Sequence, residues 1–365
     1  MYSEILKIVE AGMACDRKRM MSYAELLAKN LQRKGDVQFA ERLRGILAQT
    51  SGGMCMSTLD ALGAKPIDAE SKLDIVDITY PALVRSTLQL VLDSRVAAEV
   101  DEFVAAYRRK DELVSVGADA FNSLLLYGPP GCGKTSLARL IAAKTGLPLV
   151  TARLDALISS LLGSTAKNLR KIFDFAAQKP CVLFLDEFDS VAKQRDDHNE
   201  LGELKRVVNG LLQEMDAFSY ESVLIAATNH ESLLDKAVWR RFAKVLRLAL
   251  PDADEIVRLL RLYLNGRENT VFSNARLLKR LVKALSGCSH SDVRTVVQNA
   301  VRTSLLAGRT LVGISDLTRE ACLQRLHSMP DDEAYISFLK DCGFSHRQMN
   351  GEFGLPLRKI RGGAK

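Results

Sequence analysis

The sequence predicts an α/β fold, in which a parallel sheet with flanking helices is followed by an all-helical segment and preceded by a small helical bundle. Two patterns support this prediction. Between Leu73 and Leu250, short apolar runs such as "CVLFLD" and "VLIAAT" alternate with longer helical patterns, as expected for strands buried on both faces of a sheet. After Pro251 the strand pattern ends, and apolar residues recur only at helical spacing.

Length and composition indicate a multidomain globular protein. The chain has 365 residues, of which 47% are hydrophobic and 26% charged, too long for one ordinary core. Its seven scattered cysteines lack metal-binding spacing and favour a reducing cytoplasm. No apolar run has the length of a membrane span, and the N-terminus carries acidic residues, unlike a signal peptide. We therefore expect a cytoplasmic protein. The net charge of +7 permits but does not require a nucleic-acid partner.

The elements follow in order along the chain. Residues 1–50 have helical apolar spacing and predict a bundle, and residues 51–72, rich in Gly and small residues, predict a linker. Residues 73–251 form the predicted α/β domain, with strands at "SLLLY", "LPLVT", "CVLFLD", "VLIAAT" and "KVLRLAL". Residues 252–328 are predicted to be all helical, including a capping box made by Ser289 and Asp292.

A phosphate-binding loop is predicted between the first of these strands and the next helix. The segment "GPPGCGKT" fits the pattern GxxxxGK[ST], in which glycines allow backbone N–H groups to surround phosphate oxygens. The candidate ATP-binding residues are Gly128, Pro129, Pro130, Gly131, Cys132, Gly133, Lys134, Thr135 and Ser136. Lys134 is expected to reach the β and γ phosphates, and Thr135 to bind Mg²⁺. The alternative is a glycine turn followed by a chance Lys-Thr pair.

Hydrolysis also requires carboxylates near the phosphates. Asp186 ends a predicted buried strand and is expected to bind Mg²⁺, while Glu187 beside it is the candidate general base for water. A single Asp in this position could equally cap a helix. Asn229 follows the strand "VLIAAT" and could orient the attacking water, although Asn is also a common turn residue.

With these motifs in place, the sequence resembles the AAA family of AAA+ ATPases from about Leu73 to His327, in particular the katanin- and spastin-like and proteasome-regulatory modules. "GPPGCGKT", "VLFLDE", "AATN" and "DKAVWRRFAKVLRLALPD" occur in family order. The resemblance implies a five-stranded α/β domain with a helical lid, commonly assembled into hexameric rings with ATP between neighbouring subunits.

The resemblance also implies roles for further residues. Arg240 and Arg241 match the arginine-finger positions that reach the next subunit's site, although a solvated basic pair is the alternative. Leu161 and Leu162 match the first pore loop, where the family usually has an aromatic residue; they could instead pack in an interior or interface. His290, in the segment that matches the lid region near the nucleotide, could contact the ribose or adenine side or be structural.

The two ends leave alternatives open. The N-terminal bundle could recruit a partner or only cap the ring. Residues 329–365 form a basic helical tail with loosely helix-turn-helix-like spacing, in which Arg347, Arg358, Lys359 and Arg361 could meet phosphates. A packing extension or a solvated basic tail is the preferred interpretation.

These observations predict a Mg²⁺-dependent ATPase that forms a homo-oligomer, expected to be a hexamer. It would remodel or unfold a protein partner, and it could serve a separately encoded protease. The alternatives are a DNA-directed ATPase that uses the basic tail and a nucleotide-gated assembly switch. No membrane partner is expected.

Overall fold

In the computed structural model the chain divides into two compact units, Met1–Leu62 and Gly63–Lys365. The described residues are 7, 23–24, 26–28, 30–31, 65–67, 74–81, 90–117, 121–152, 154, 162–192, 201–328 and 330–362, and the description excludes the side chains of 162–164, 192, 201–206, 236 and 362. Most of the predicted N-terminal bundle and linker therefore lies outside the described residues, as do Leu161 and the side chain of Leu162.

In the first unit, the described residues are helical, and four of them are buried on one helix face. The buried residues follow the i, i+3, i+4, i+7 spacing of one helix face and are Ala24, Leu27, Ala28 and Leu31. The Lys7 ammonium lies 5.5 Å from the centroid of the Tyr23 ring, a cation–π distance. The bundle expected for residues 1–50 stays a prediction.

The second unit contains a six-stranded sheet. Its strands are β1 (Val76–Thr79), β2 (Ser123–Tyr127), β3 (Leu149–Ala152), β4 (Val182–Leu185), β5 (Val223–Thr228) and β6 (Lys244–Arg247). Their spatial order is β1-β3-β4-β5-β2-β6. β1 is antiparallel to β3, and all other neighbours are parallel. The five strands predicted from the sequence are all present and form the parallel part of the sheet, so the α/β fold class is confirmed.

β1 is an additional strand that the sequence patterns do not predict. It has four residues, with Val76 buried and Asp77 exposed, and it pairs along β3 from Val76 opposite Ala152 to Thr79 opposite Leu149. An edge strand has one neighbour and needs few buried side chains, so it lacks the continuous apolar run that marks the inner strands.

Helices bury both faces of the sheet. They are α1 (Ser94–Arg108), α2 (Lys110–Ser115), α3 (Lys134–Thr145), α4 (Leu162–Ala177), α5 (Asp189–Ala192), α6 (Leu201–Asp216) and α7 (Lys236–Trp239). α1 and α3 share a core cluster with Leu124 and Ile225. Residues that alternate with these, such as Leu125 and Leu224, point to the opposite face and are also buried. Both faces of the central strands are therefore shielded from water.

The C-terminal part of this unit is helical. Its helices are α8 (Ala253–Tyr263), α9 (Ala275–Leu285), α10 (His290–Leu306), α11 (Ile314–Leu326), α12 (Asp332–Asp341), α13 (His346–Phe353) and α14 (Leu357–Gly362). One apolar cluster runs through all of them, from Ile256 in α8 to Leu339 in α12 and Ile360 in α14. The segment after residue 329 thus packs into the same core as α8–α11. None of the described helices could cross a membrane.

The strand order explains where a site can form. β5 lies between β2 and β4, and these three strands are parallel. Their carboxyl ends therefore meet at one edge of the sheet, where ligands of such sheets bind. The loop after β2, Asp186 after β4 and Asn229 after β5 all emerge at this edge.

Candidate nucleotide-binding site

The loop between β2 and α3 approaches two other segments so closely that two of its positions require glycine. At Gly128 (φ +138°) a Cβ atom would lie 2.0 Å from the backbone oxygen of Leu248, which follows β6. At Gly131 (φ +76°) a Cβ atom would lie 2.4 Å from Ser289 Oγ, at the start of α10. Both positions also have positive φ, which glycine adopts without steric cost. The loop is therefore held between the sheet and the helical part.

Lys134 places its charge inside this loop. The side chain is 7% exposed, and its ammonium donates hydrogen bonds to the backbone oxygens of Gly128 (2.6 Å) and Pro129 (2.9 Å). Burial lowers the pKa of Lys134, and nearby carboxylates such as Asp186 partly offset that effect. A buried cation held by carbonyl oxygens can exchange them for stronger anionic acceptors such as phosphate oxygens.

Thr135 and Asp186, the two magnesium ligands proposed from the sequence, lie within hydrogen-bond distance of each other. Thr135 Oγ1 donates to Asp186 Oδ2 at 2.9 Å. Two neighbouring ligands of an octahedral Mg²⁺ at about 2.1 Å from the ion are about 3.0 Å apart, so these oxygens have the separation that one ion would need. A hydroxyl, a carboxylate and phosphate oxygens are the hard ligands that Mg²⁺ prefers. Thr135 and Asp186 therefore have the ligand chemistry and the spacing that Mg²⁺ requires.

Glu187 follows Asp186 in an uncommon backbone conformation. Its φ is +51°, and its backbone N–H donates to Asp186 Oδ1 at 3.0 Å. The next residue, Phe188, is fully buried and donates its N–H to the Ala227 oxygen in β5 at 2.8 Å. These contacts turn the chain sharply after β4 and leave the Glu187 side chain exposed at the edge of the sheet.

The end of β5 is tied to the segment after β4. The buried Thr228 donates from Oγ1 to Asp189 Oδ1 at 2.7 Å and accepts the His230 N–H at 3.0 Å. Asn229 lies between these two anchored positions and is half-buried. Sequence reasoning missed the role of Asp189, because its partner is 39 residues away along the chain.

The two candidate arginines have different environments. Arg240 is exposed, and no described carboxylate pairs with it. Arg241 donates from Nε and Nη2 to the two carboxylate oxygens of Asp216 at 3.2 Å each, and from Nη1 to the Ala237 oxygen at 3.1 Å. Asp216 ends α6 in the segment "MDAF", so Arg241 links that segment to the turn after α7.

The helical part contacts the loop through the beginning of α10. The Ser291 N–H donates to the Gly131 oxygen at 3.1 Å. The predicted capping box is confirmed: Asp292 N–H donates to Ser289 Oγ, and Ser289 N–H donates to Asp292 Oδ2. Asp292 also accepts a hydrogen bond from Gln324 of α11 at 2.8 Å. The Asp292 carboxylate thus connects the start of α10, which contacts the phosphate loop, to α11.

A cavity of about 330 Å³ opens beside the loop. Its walls come from five segments and include Leu92, Cys132, Leu248, Leu250, Glu255 and His290. Nδ1 of His290 is buried, with no hydrogen-bond partner among the described residues. Burial, followed by the charge of Arg258, lowers the pKa of His290. The cavity therefore combines apolar wall residues with charged ones such as Asp93, Arg247 and Glu255, and ligand pockets commonly place a few polar groups in mostly apolar walls.

Comparisons with known proteins agree with this geometry. The family model for the ATPase family associated with various cellular activities (AAA) matches residues 124–250. An AAA family ATPase of Sinorhizobium fredii, y4kL, is 37% identical over 316 residues, which cover 87% of this chain and 93% of that protein.

Other relatives match over part of their length. The ATP-dependent zinc metalloprotease FtsH 2 of Symbiobacterium thermophilum is 32% identical over 61% of this chain and 39% of its own. A 26S proteasome regulatory subunit homolog of Methanocaldococcus jannaschii is 32% identical over 55% of this chain and 54% of its own. The phosphate loop, the paired carboxylates and the near full-length match together identify this chain as an ATP hydrolase that belongs to the AAA family.

Proposed function

We propose that this ATPase depends on Mg²⁺, works as a homo-oligomeric ring, expected to be a hexamer, and uses hydrolysis to remodel a protein partner in the cytoplasm. Mg²⁺-dependent hydrolysis is supported mainly by the pairing of Thr135 with Asp186 beside Lys134. Glu187 lies at the same edge of the sheet. The loop residues Gly128–Ser136 would hold the phosphates, and Lys134 would bind the β and γ phosphates.

Each acidic or amide group has a distinct task in this proposal. Thr135 and Asp186 would hold Mg²⁺, which supplies charge neutralisation of the phosphates when bound. Glu187 accepts a proton from the attacking water, because its carboxylate is exposed at the edge where the γ phosphate would lie. Asn229 orients that water through its amide. The exposed side chain and uncommon backbone of Glu187 support this assignment.

The cavity beside the loop is proposed to take the base of the nucleotide. It adjoins the phosphate loop through Cys132 and the helical part through His290. Its volume of about 330 Å³ lies at the lower end of the range for small-molecule pockets. The half-buried side chain of His290 in the cavity wall would contact the base or ribose.

The oligomer is proposed because, among the described residues, no arginine forms a hydrogen bond with the phosphate loop of its own chain. Arg240 and Arg241 are proposed to act on the site of the neighbouring subunit, where such residues raise the hydrolysis rate by about 10³- to 10⁵-fold. The exposure of Arg240 supports this role. The link between Arg241 and Asp216 would position the pair.

A protein client is proposed on the names of the relatives, which include ATP-dependent zinc metalloproteases and a proteasome regulatory subunit homolog. The client could be handed to a separately encoded protease. Leu161 and Leu162 are proposed to contact it by apolar surface.

The test of the catalytic assignment is steady-state ATP hydrolysis by the Glu187→Gln protein. We expect kcat to fall at least 100-fold, the scale expected when a general base is removed, while ATP still binds, because the phosphate loop is intact. Lys134→Ala is the matched control that should lose binding itself. Retention of near wild-type turnover by Glu187→Gln would contradict the assignment of Glu187 as the general base, whereas turnover barely above background in the wild type would favour a nucleotide-gated switch.

The client hypothesis has its own test. The Glu187→Gln protein, loaded with ATP and Mg²⁺, is expected to retain its client in a pull-down, since hydrolysis cannot release the ligand-bound state. The same experiment with Lys134→Ala should recover no client. Equal recovery of proteins by both variants would argue against ATP-dependent client binding.

A further inference from the structure

α9 carries four basic residues on one side and no acidic residue. Arg276, Lys279, Arg280 and Lys283 stand at i, i+3, i+4 and i+7, positions that share a helix face. The opposite face, which includes Leu277 and Leu281, is buried in the helical core. Arg276 lies in the first turn, where the helix dipole disfavours a cation. The dipole favours Lys283 in the last turn, so stabilisation of the helix explains Lys283 but not Arg276.

The α12–α13 segment packs beside that face. The Arg280 guanidinium hydrogen-bonds Gln348 Oε1 in α13 and lies 5.7 Å from the centroid of the Phe344 ring. Arg347 precedes Gln348 and is exposed. Arg280 thus joins the two elements by packing, and the neighbouring basic side chains remain available to solvent.

We call the four exposed residues Arg276, Lys279, Lys283 and Arg347 the basic face. No described carboxylate lies within ion-pair distance of any of them. Some exposed cations of the same unit are paired, for example Arg309 with Asp316 and Lys359 with Asp332. Other exposed cations without a described ion pair, such as Arg170 and Arg267, stand on separate segments, whereas those of the basic face are clustered. Unpaired like charges repel one another and attract anions, so a surface of this kind favours a polyanionic partner.

We propose that the basic face binds the phosphate backbone of duplex DNA. Arg276 and Lys283 are separated by seven residues, or about 10 Å along the helix axis, and a duplex carries about six phosphate charges over that length. A helix with cations along one side can therefore contact several phosphates at once. This proposal goes beyond ATP hydrolysis and does not depend on the nature of the client.

The shape beside α9 favours DNA over an acidic polypeptide. α12 and α13 are joined by four residues, Cys342–Ser345, that include Gly343 at φ +89°, a connection typical of helix-turn-helix units. In such units the first residues of the second helix meet DNA. Here these residues are His346 and Arg347, and both are exposed. The sequence alone indicated only the tail, whereas the structure adds α9 to the same surface.

The experiment measures binding of the full chain to a fluorescent duplex of about 20 base pairs by anisotropy, over about 50 to 200 mM salt. The test variant changes all four residues of the basic face to Gln. We expect at least a tenfold loss of affinity at the lowest salt. We also expect the slope of log affinity against log salt to shrink by about 0.9 for each phosphate that the variant no longer neutralises. Basal ATP hydrolysis should be unchanged, which also reports that the variant is folded.

The matched control removes four exposed positive charges elsewhere: Arg170→Gln, Lys179→Gln, Arg267→Gln and Arg302→Gln. It lowers the net charge equally and should bind DNA like the wild type.

Three results would overturn the proposal: no binding of duplex by the wild type at low salt, equal losses in the test and control variants, or competition by polyglutamate as effective as competition by unlabelled duplex. The last result would indicate an acidic protein partner instead.

Discussion

At the residue scale, the site places two kinds of residue in the left-handed backbone region. Glu187 has φ +51° although it carries a Cβ, a conformation that costs on the order of 1–3 kcal/mol and occurs most often at functional sites. Hydrogen bonds on both sides hold Glu187 in this conformation: its own N–H donates to Asp186, and the N–H of Phe188 donates to Ala227. In the phosphate loop, glycine removes that cost. The backbone cost therefore falls on Glu187, the proposed general base, and is avoided at Gly131, where no side chain fits.

Gly131→Ala is expected to lower ATP affinity at least tenfold. The new Cβ would lie 2.4 Å from Ser289 Oγ, so either the loop or the start of α10 must shift. Titration with a fluorescent ATP analogue measures the loss, and urea unfolding measures stability.

Gly146→Ala is the matched control for backbone strain. Gly146 has a similar φ of +80°, but no atom lies within 4 Å of its added Cβ. We expect it to lose about 1–2 kcal/mol of unfolding free energy with unchanged ATP affinity. If both variants bound ATP equally well, the close contact between the loop and Ser289 would have no role in binding.

At the scale of elements, α10 connects the phosphate loop to the helical core. Its first turn contacts Gly131 through Ser291 and lines the cavity through His290, while Asp292 binds Gln324 of α11. Because α8–α14 share one apolar cluster, a shift at the loop would move the helical part as one body. The segment after residue 329 belongs to this body through side chains such as Leu339 and Ile360.

Leu339→Ala in α12 should therefore destabilise the protein by about 2–5 kcal/mol, the cost of a cavity in a packed core. Leu339 is fully buried in the cluster. Leu357→Ala in α14 is the control: this leucine is 42% exposed, and its loss should cost less than about 0.5 kcal/mol. Urea unfolding of both variants measures the difference. Similar stabilities would mean that α12 is not part of the core.

At the scale of the whole molecule, the described part of one chain supplies the phosphate loop, the two carboxylates and Asn229 at one edge. Arg240 has no described partner there, and Arg241 is bound to Asp216. In the proposed ring, each site would combine these groups with the arginines of the next subunit. A closed ring repeats one such interface around its axis.

Mixing two inactive variants tests that arrangement. Glu187→Gln subunits keep the arginines, and Arg240→Ala/Arg241→Ala subunits keep Glu187, so neither alone should hydrolyse ATP efficiently. In an equal mixture, about one quarter of the interfaces should pair an intact Glu187 with intact arginines. Steady-state hydrolysis should therefore recover to about one quarter of wild type. A mixture no more active than its components would exclude shared sites.

The local chemistry of the site could be predicted from the sequence. Gly128–Ser136, Asp186 and Glu187 are recognisable because a phosphate loop needs particular residues at short spacing, and buried parallel strands leave continuous apolar runs. The capping box of Ser289 and Asp292 was predictable for the same reason, since both partners lie within one helical turn.

Contacts between residues far apart in the chain could not be predicted from the sequence. These include the 2.9 Å pairing of Thr135 with Asp186, the bond of Arg241 to Asp216, and the place of β1 at the edge of the sheet. They also include the approach of Ser289 to Gly131 and the joining of α9 to α13. Residue spacing specifies local conformation, whereas such contacts depend on how whole elements pack to bury their apolar faces.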